Sequence, residues 1–413
     1  MKKQLQNARA WVLLGILANL AFVSIGACGY SKREPLPPAG RGSSKQDSAA
    51  TPTGSQEPEA PSPLPPLPPE DSDSPPAEPG EPGPVCDSTQ APFGGGNGTP
   101  QDPYLICSQA QLANVARHSE LSFRLATSLE LKGDFKPIDS FLGTFDGAGF
   151  AISKIRVVNP ETDGAGFIIR LEEYAEIKDV IFTDLFVAAD NRRPVGGIAA
   201  FNLGKITRCA VNGKNSRIIG NVAVGGLVGR NLGGVISDSS SQAKVHVPER
   251  ANRLTEAGGL VGHLEGGAIY SSKAEGTVRG NRRVGGLVGA LISSGGRERT
   301  SLIVQGRASA QVTGTSQVGG LVGYCGTDTM DPEAPSQNPA VVENSSADGN
   351  VVGGSRVGGL VGHLAAPGVI RNSTASGSVT AQKLKEAGPL VGVNFQGKIE
   401  NSTGTGKVQA SNP

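Results

Sequence analysis

From residue 195 to residue 410 the chain sets short aliphatic runs between glycine pairs and small polar clusters, with a period of about thirty residues. The clearest unit, Val224-Gly225-Gly226-Leu227-Val228-Gly229, returns at residues 284–289, 318–323 and 357–362. Looser copies begin at Val195, Ala257 and Ala387, so the central aliphatic residue falls at Ile198, Leu227, Leu260, Leu287, Leu321, Leu360 and Leu390. Behind it comes an aliphatic-polar run, at Ile206, Ile236, Ile269, Val342, Ile370 and Ile399, and then a third piece such as Gly276-Thr277-Val278-Arg279 or Gly377-Ser378-Val379-Thr380. The pattern predicts three short strands per unit.

Helices do not suit these units. Three glycines in six residues would each cost about 1 kcal/mol in a helix relative to Ala, and Val and Thr favour strands. Three such strands cannot bury a face alone, whereas coils stacked about 4.8 Å apart can, with Leu, Val and Ile inside. Glycine would supply positive φ at the corners and let a neighbouring rung come close inside. Asn-Ser pairs at one place per turn would stack as hydrogen-bonded ladders. The expected fold is all-β, a parallel β-helix, right-handed by the general rule for parallel crossovers. Which of Leu and Val in each Gly-Leu-Val-Gly points inward stays open at this stage.

The string Gly-Gly-Leu-Val-Gly followed by Gly-x-Ile and Asn-Ser resembles the GLUG repeat of the N-terminal regions of bacterial IgA-specific metallopeptidases and of many bacterial surface proteins. The resemblance covers roughly residues 94–410 and implies a β-helix of GLUG repeats; it specifies a fold more than a function. Residues 94–106 resemble the segment that precedes these repeats.

Before the repeats the chain changes character twice. Lys2, Lys3 and Arg9 followed by an apolar run over residues 11–25 read as an export signal, too short to span a bilayer. Ile25-Gly26-Ala27-Cys28 resembles a bacterial lipobox, implying cleavage before Cys28 and a lipid on its thiol; an ordinary signal peptide cut nearby is the alternative. Gly29, rather than Asp, favours the outer membrane by resemblance to enterobacterial sorting. Residues 28–84, rich in Pro, Ser and Glu, read as a disordered tether with polyproline II character. The expected organisation is therefore a signal peptide at 1–27, the tether at 28–84, a cap and lead-in at 85–143 and the β-helix at 144–413. Ser108-Gln109-Ala110-Gln111 has capping-box spacing, predicting a short helix from Ser108 to about His118 over the open end of the first coil.

Composition narrows the function classes. Of 413 residues 59 are Gly and only 4% are aromatic, which points to one elongated repeat domain, and a net charge of +1 gives no electrostatic case for nucleic acid. Cys86 and Cys107 would pair in an oxidising compartment, stabilising by roughly 3 kcal/mol. Cys209 and Cys325, about four coils or ~19 Å apart, would be free buried thiols.

No HExxH occurs, so the zinc peptidase chemistry of the resembled proteins does not transfer. His263 and His363 share a repeat position three coils apart, about 14 Å, too far to share a metal ion, and read as surface or partly packed residues. Asp-Gly pairs at Asp146, Asp163 and Asp348 read as turns. Asn-x-Ser/Thr triplets at Asn344, Asn372 and Asn401 follow the repeat register, so ladder geometry explains them better than glycans. The column after Gly-Leu-Val-Gly, namely Phe201, Arg230, His263, Ala290, Tyr324, His363 and Val393, offers no paired carboxylates for acid–base work. No catalytic residue, metal or cofactor is expected.

Two insertions, over residues 292–300 and 325–339, follow the same corner of consecutive coils and should lie side by side. Neutral length drift is the plainer account; the alternative is a binding surface carrying Arg297, Arg299, Tyr324, Asp328, Asp331 and Glu333. The expectation is a monomeric, non-enzymatic lipoprotein of the outer membrane and cell surface, its β-helix serving display, adhesion or binding of a protein or glycan ligand. A structural part of an envelope assembly and a polysaccharide-active enzyme are the alternatives.

Overall fold

In the computed structural model the described residues are 85–190, 193–248, 255–293, 299–327 and 338–411. Cys28, the export signal and the tether lie outside them. Residues 104–410 wind as a parallel β-solenoid whose strands collect into four sheets. Sheet A stacks from Tyr104–Ile106 to Lys398–Glu400, sheet B from Leu129–Glu130 to Thr403–Gly404, and sheet C from Ile138–Phe141 to Val391–Phe395. Sheet D takes two strands from each regular coil, which fuse into one in Gln311–Gly319 and again in Val351–Gly358.

Three strands per unit was therefore an undercount. One coil runs Val228–Leu232, Val235–Ser237, Ser240–Ser241, Lys244–His246 and Glu256–Gly258, and strands of two or three residues are too short to leave a periodic signal of their own. The winding also starts earlier than residue 144. Tyr104–Ile106 already pairs with Ser122–Leu125, and that strand with Thr144–Asp146, so most of the expected lead-in is solenoid.

Most of the three-residue strands turn their central side chain inward. In sheet A, Ile206, Ile236, Ile269, Ile303, Val342 and Ile370 stand in register and are fully buried. The flanking residues are mostly less buried, Leu302 and Val341 excepted, so one column of aliphatic residues, coil upon coil, builds this side of the core.

The repeat motif itself is a bulge. The amides of Leu227 and Val228, adjacent in sequence, both donate to the carbonyl of Leu260 in the next coil, at 2.9 and 3.1 Å. Leu260 and Val261 do the same to Leu287, Leu287 and Val288 to Leu321, and Leu321 and Val322 to Leu360. A bulge resets the alternation of faces. Both Leu227 and Val228 are consequently buried, which answers the question of which one points inward.

The motif glycines serve close approach and not positive φ. A Cβ on Gly286 would lie 2.0 Å from the carbonyl oxygen of Gly320 one coil along, and none of residues 225, 226 or 229 has positive φ. The left-handed corner between sheets A and B is instead occupied by Asp179, Arg208, Asp238, Ser271, Gln305, Asn344, Asn372 and Asn401.

That corner also revises the expected ladder. The serine after the left-handed residue does the bonding: the amide of Ser345 donates to Ser373 Oγ at 3.1 Å, the amide of Ser373 to Ser402 Oγ at 3.0 Å, and each hydroxyl donates to a carbonyl two residues back. The asparagines are there for their tolerance of the left-handed region. Cys209 holds the serine position in its own coil, its Sγ facing the carbonyl of Thr207 at 3.3 Å. Burial pushes the thiols of Cys209 and Cys325 up to about 12.

The N-terminal end is closed. The helix Gln109–Asn114 starts at Ser108, whose Oγ accepts from the Gln111 amide, and continues as a 3-10 turn over Val115–Arg117. Leu112 and Val115 are fully buried against the first coils. Gln111 bonds to the amide of Cys107 and to the carbonyls of Asp87 and Gln90, and a disulfide joins Cys86 to Cys107 with a Cα separation of 6.2 Å.

Candidate functional site

The register places the column after the motif as read from sequence. Arg170, Phe201, Arg230, His263, Ala290, Tyr324, His363 and Val393 are successive partners on the outer face of sheet C. Across the corner, on sheet D, stands a second column seven residues earlier in each coil: Ala223, Glu256, Arg283, Gln317 and Arg356. Arg283, Gln317 and Arg356 lie in the left-handed region, at φ of 52°, 56° and 52°. Such inversions cost about 1–2 kcal/mol per residue, and here they accompany polar side chains that meet sheet C.

Between the columns runs a chain of buried polar contacts. Glu256 Oε2 lies 2.9 Å from His263 Nδ1, and His263 Nε2 lies 3.4 Å from Glu265 Oε2. Arg283 Nη1 donates to Glu256 Oε1 at 3.1 Å, and its guanidinium stacks 4.4 Å from the Tyr324 ring centroid. The Tyr324 ring meets His363 edge-on at 5.4 Å. His363 Nδ1 faces Gln317 Nε2 at 2.9 Å and Arg356 Nη1 at 3.4 Å, while Gln317 Oε1 accepts from Arg282 Nε at 3.1 Å.

These surroundings drive the two histidines apart. Burial disfavours the His263 imidazolium, but the charges and hydrogen bonds of Glu256 and Glu265 outweigh it and raise the ring to about 9. Burial likewise opposes the Glu256 carboxylate, yet His263, Arg283 and Arg230 hold it below its ordinary value. For His363, burial and then the guanidinium groups of Arg356, Arg283 and Arg282 act together and lower it to about 4. Near neutral pH His263 is thus a cation between two carboxylates. His363 is neutral, its Nδ1 accepting from the two donors that face it.

The expectation of surface or partly packed histidines holds for His363 and fails for His263, whose side chain is 6% exposed. Paired carboxylates, read as missing from the sheet C column, are brought to His263 by Glu256 from the facing column and by Glu265. A histidine already protonated up to about pH 9 is a poor general base at neutral pH. The arrangement suits an internal ion cluster better than proton transfer. Among the described residues no group of His, Cys, Asp and Glu has the geometry to hold a metal ion.

The insertion roots are neighbours. Leu291 pairs with Cys325 and Ile292 with Gly326 at the start, and Ser301 with Ala340 at the end. Ser293 Oγ donates to the carbonyl of Asn338, tying one root to the other. Beneath them Ala290, Ile292, Tyr324 and Ala365 form a small apolar cluster outside the main core. Tyr324 is 6% exposed and its hydroxyl donates to the Thr327 carbonyl, so the side chain braces the corner and is not on offer to a ligand. Arg299 donates to the Gly233 carbonyl at 3.3 Å and lies 3.6 Å from Glu173. Arg297, Asp328, Asp331 and Glu333 lie outside the described residues.

Sequence reasoning found one wall of this corner and missed the other. The signal was available: Glu256, Arg283, Gln317 and Arg356 each precede the Val/Ala-Gly-Gly of the motif, and aligning that position would have exposed a polar column.

Comparison with known proteins agrees with the coils. The family model described as the GLUG motif matches residues 220–245, 254–279, 314–352 and 353–380. Halomucin of Haloquadratum walsbyi (strain DSM 16790 / HBSQ001) is 33% identical over 167 residues, 35% of this chain. The chain spans about 2% of the length of that relative. A crystal structure of a candidate immunoglobulin A1 protease from Bacteroides ovatus aligns over 74% of this chain and 86% of its own, with 21% identity and a TM-score of 0.49. The chain thus carries GLUG-motif repeats, wound as coils of a parallel β-solenoid.

Proposed function

We propose that this protein is an exported lipoprotein, anchored through Cys28 to the outer membrane, whose solenoid is a non-catalytic module that displays a ligand-binding corner at the cell surface. The observation that carries the reading is the pairing of the two insertion roots over a braced polar corner. The scaffold departs from its repeat here on adjacent coils, and the place is stiffened by Glu256, His263, Arg283 and Tyr324. Repeat proteins carry binding loops on such same-face insertions. The similarity to part of halomucin supports a surface or secreted location. The disulfide between Cys86 and Cys107 suits an oxidising compartment. The ligand is a protein or glycan.

Two measurements test this. Cys28→Ser should move the protein from the membrane fraction to the soluble one, and membrane association that survives the change sinks the anchor. Deleting residues 328–337 should abolish binding on glycan and matrix-protein arrays while leaving the melting transition nearly unchanged. Equal binding with and without that segment would remove it from the site.

A further inference from the structure

A net charge of +1 conceals an uneven surface. In sheet D the strands Arg217–Ile219, Lys244–His246 and Thr277–Arg279 lie side by side in consecutive coils, and their central residues Ile218, Val245 and Val278 are buried. The flanking positions therefore point outward. Arg217 is the register partner of Lys244, and His246 of Arg279, and all four side chains are exposed. With rungs about 4.8 Å apart and alternate residues of a strand about 6.6 Å apart, the four form a staircase about 12 Å long across three coils.

Several cations elsewhere on the solenoid have an acid beside them. Lys154 lies 2.7 Å from Glu130, Arg208 2.6 Å from Asp179, Lys273 2.7 Å from Glu275 and Lys398 2.5 Å from Glu400. The staircase is different. Its other register neighbours are Phe186, Thr277, Ile219 and Thr313, none of them acidic. At the corner that leads from sheet B into sheet D, Asp184 already accepts from Asn215 at 3.1 Å, and Glu275 is held by Lys273 and by Gln242. Like charges in register destabilise a sheet. A bound anion would relieve that repulsion.

We propose that this staircase binds a linear anionic polysaccharide, one that carries carboxylate or sulfate groups at intervals along its chain. Arg217 and Arg279 present forked N–H pairs, each matched to one such group, while Lys244 adds a point charge and His246 a ring N–H. Thr277 and Thr313 set hydroxyls next to Lys244 and Arg279, within the same two columns, for the hydroxyls of the sugar. A single small anion bridges one in-register pair; a chain with repeated charges bridges both. Nucleic acid suits the face less well, because its nearest ring in register, Phe186, already lies under Arg156, 5.8 Å from the ring centroid, and leaves bases no free stacking platform. The site is separate from the insertion roots, which join sheets C and A, and does not depend on them.

The test uses the full chain, titrated by calorimetry with oligogalacturonate and with heparin oligosaccharide. At least one should bind at low ionic strength, more weakly as salt is raised, and neutral dextran should not bind. Lys244→Gln combined with Arg279→Gln should weaken binding about tenfold, while the melting midpoint holds or rises because repulsion is removed. Lys398→Gln, which removes a cation paired on sheet A, should leave binding unchanged, and so should deletion of residues 328–337. Failure of both polyanions to bind, an equal loss in Lys398→Gln or in the deletion, or tighter binding of single-stranded DNA or of phosphatidylglycerol vesicles than of either polysaccharide would each overturn the proposal.

Discussion

The most exacting residues of this protein are its motif glycines, and the demand on them comes from the neighbouring coil. At Gly286 a methyl group would sit 2.0 Å from a backbone oxygen and 3.0 Å from the Ala308 side chain, neither of which can move without shifting a rung. Gly286→Ala should therefore destabilise by roughly 3 kcal/mol or more, read as a lowered midpoint in urea unfolding. Gly133 has a positive φ of 74°, and a methyl group there would meet nothing within 4 Å, so its Ala variant should lose only about 1 kcal/mol. Equal losses at both sites would count against inter-coil approach as the reason for glycine at 286. The glycine pairs were legible in sequence. Their cause was not, because the atom each glycine avoids belongs to a residue about thirty positions away.

At the scale of elements, the corner between sheets C and D joins two ladders with opposite acid–base behaviour. His263 is raised from its ordinary 6.5 to about 9, so its contribution is complete below pH 6.5 and disappears as pH rises through 9. His363 is lowered from 6.5 to about 4, so the unfolded chain takes up a proton first and stability falls as pH drops from 6.5 toward 4. Thermal midpoints should consequently peak near pH 6.5 and fall on either side, toward pH 9 through His263 and toward pH 4 through His363. His263→Gln should flatten the alkaline fall, worth up to about 3 kcal/mol, and His363→Gln the acid one. An alkaline limb that persists in His263→Gln would place the titrating group elsewhere. The column on sheet C was readable from the spacing of the motif, since parallel register copies sequence period into spatial stacking. The facing column could be aligned in the same way, but its contact with the first could not be read, because the seven-residue offset that brings Glu256 to His263 depends on the bulge at Gly-Leu-Val.

At the scale of the whole solenoid, each coil rests on its neighbours, so protection should be greatest in coils with a described coil on both sides. Amides of residues 398–410 should exchange with solvent at least ten times faster than those of residues 284–292, as hydrogen-exchange mass spectrometry can read. Uniform protection along the stack would contradict a nearest-neighbour account. The N-terminal end escapes this fraying because Leu112 and Val115 seal it.

The amino-acid sequence alone determined the repeat, its period, the parallel stacking, the capping helix and the column that carries His263 and His363, because all of these follow from local pattern and a fixed rise per coil. The tertiary structure decided what period cannot encode. It set four or five strands per coil in place of three, buried both Leu and Val of the motif through a bulge, and gave the ladder to serine rather than asparagine. It also set Glu256 and Arg283 against His263 and Tyr324. Each of those outcomes depends on where a coil turns its corners, and the corners are fixed by contacts between residues one coil apart.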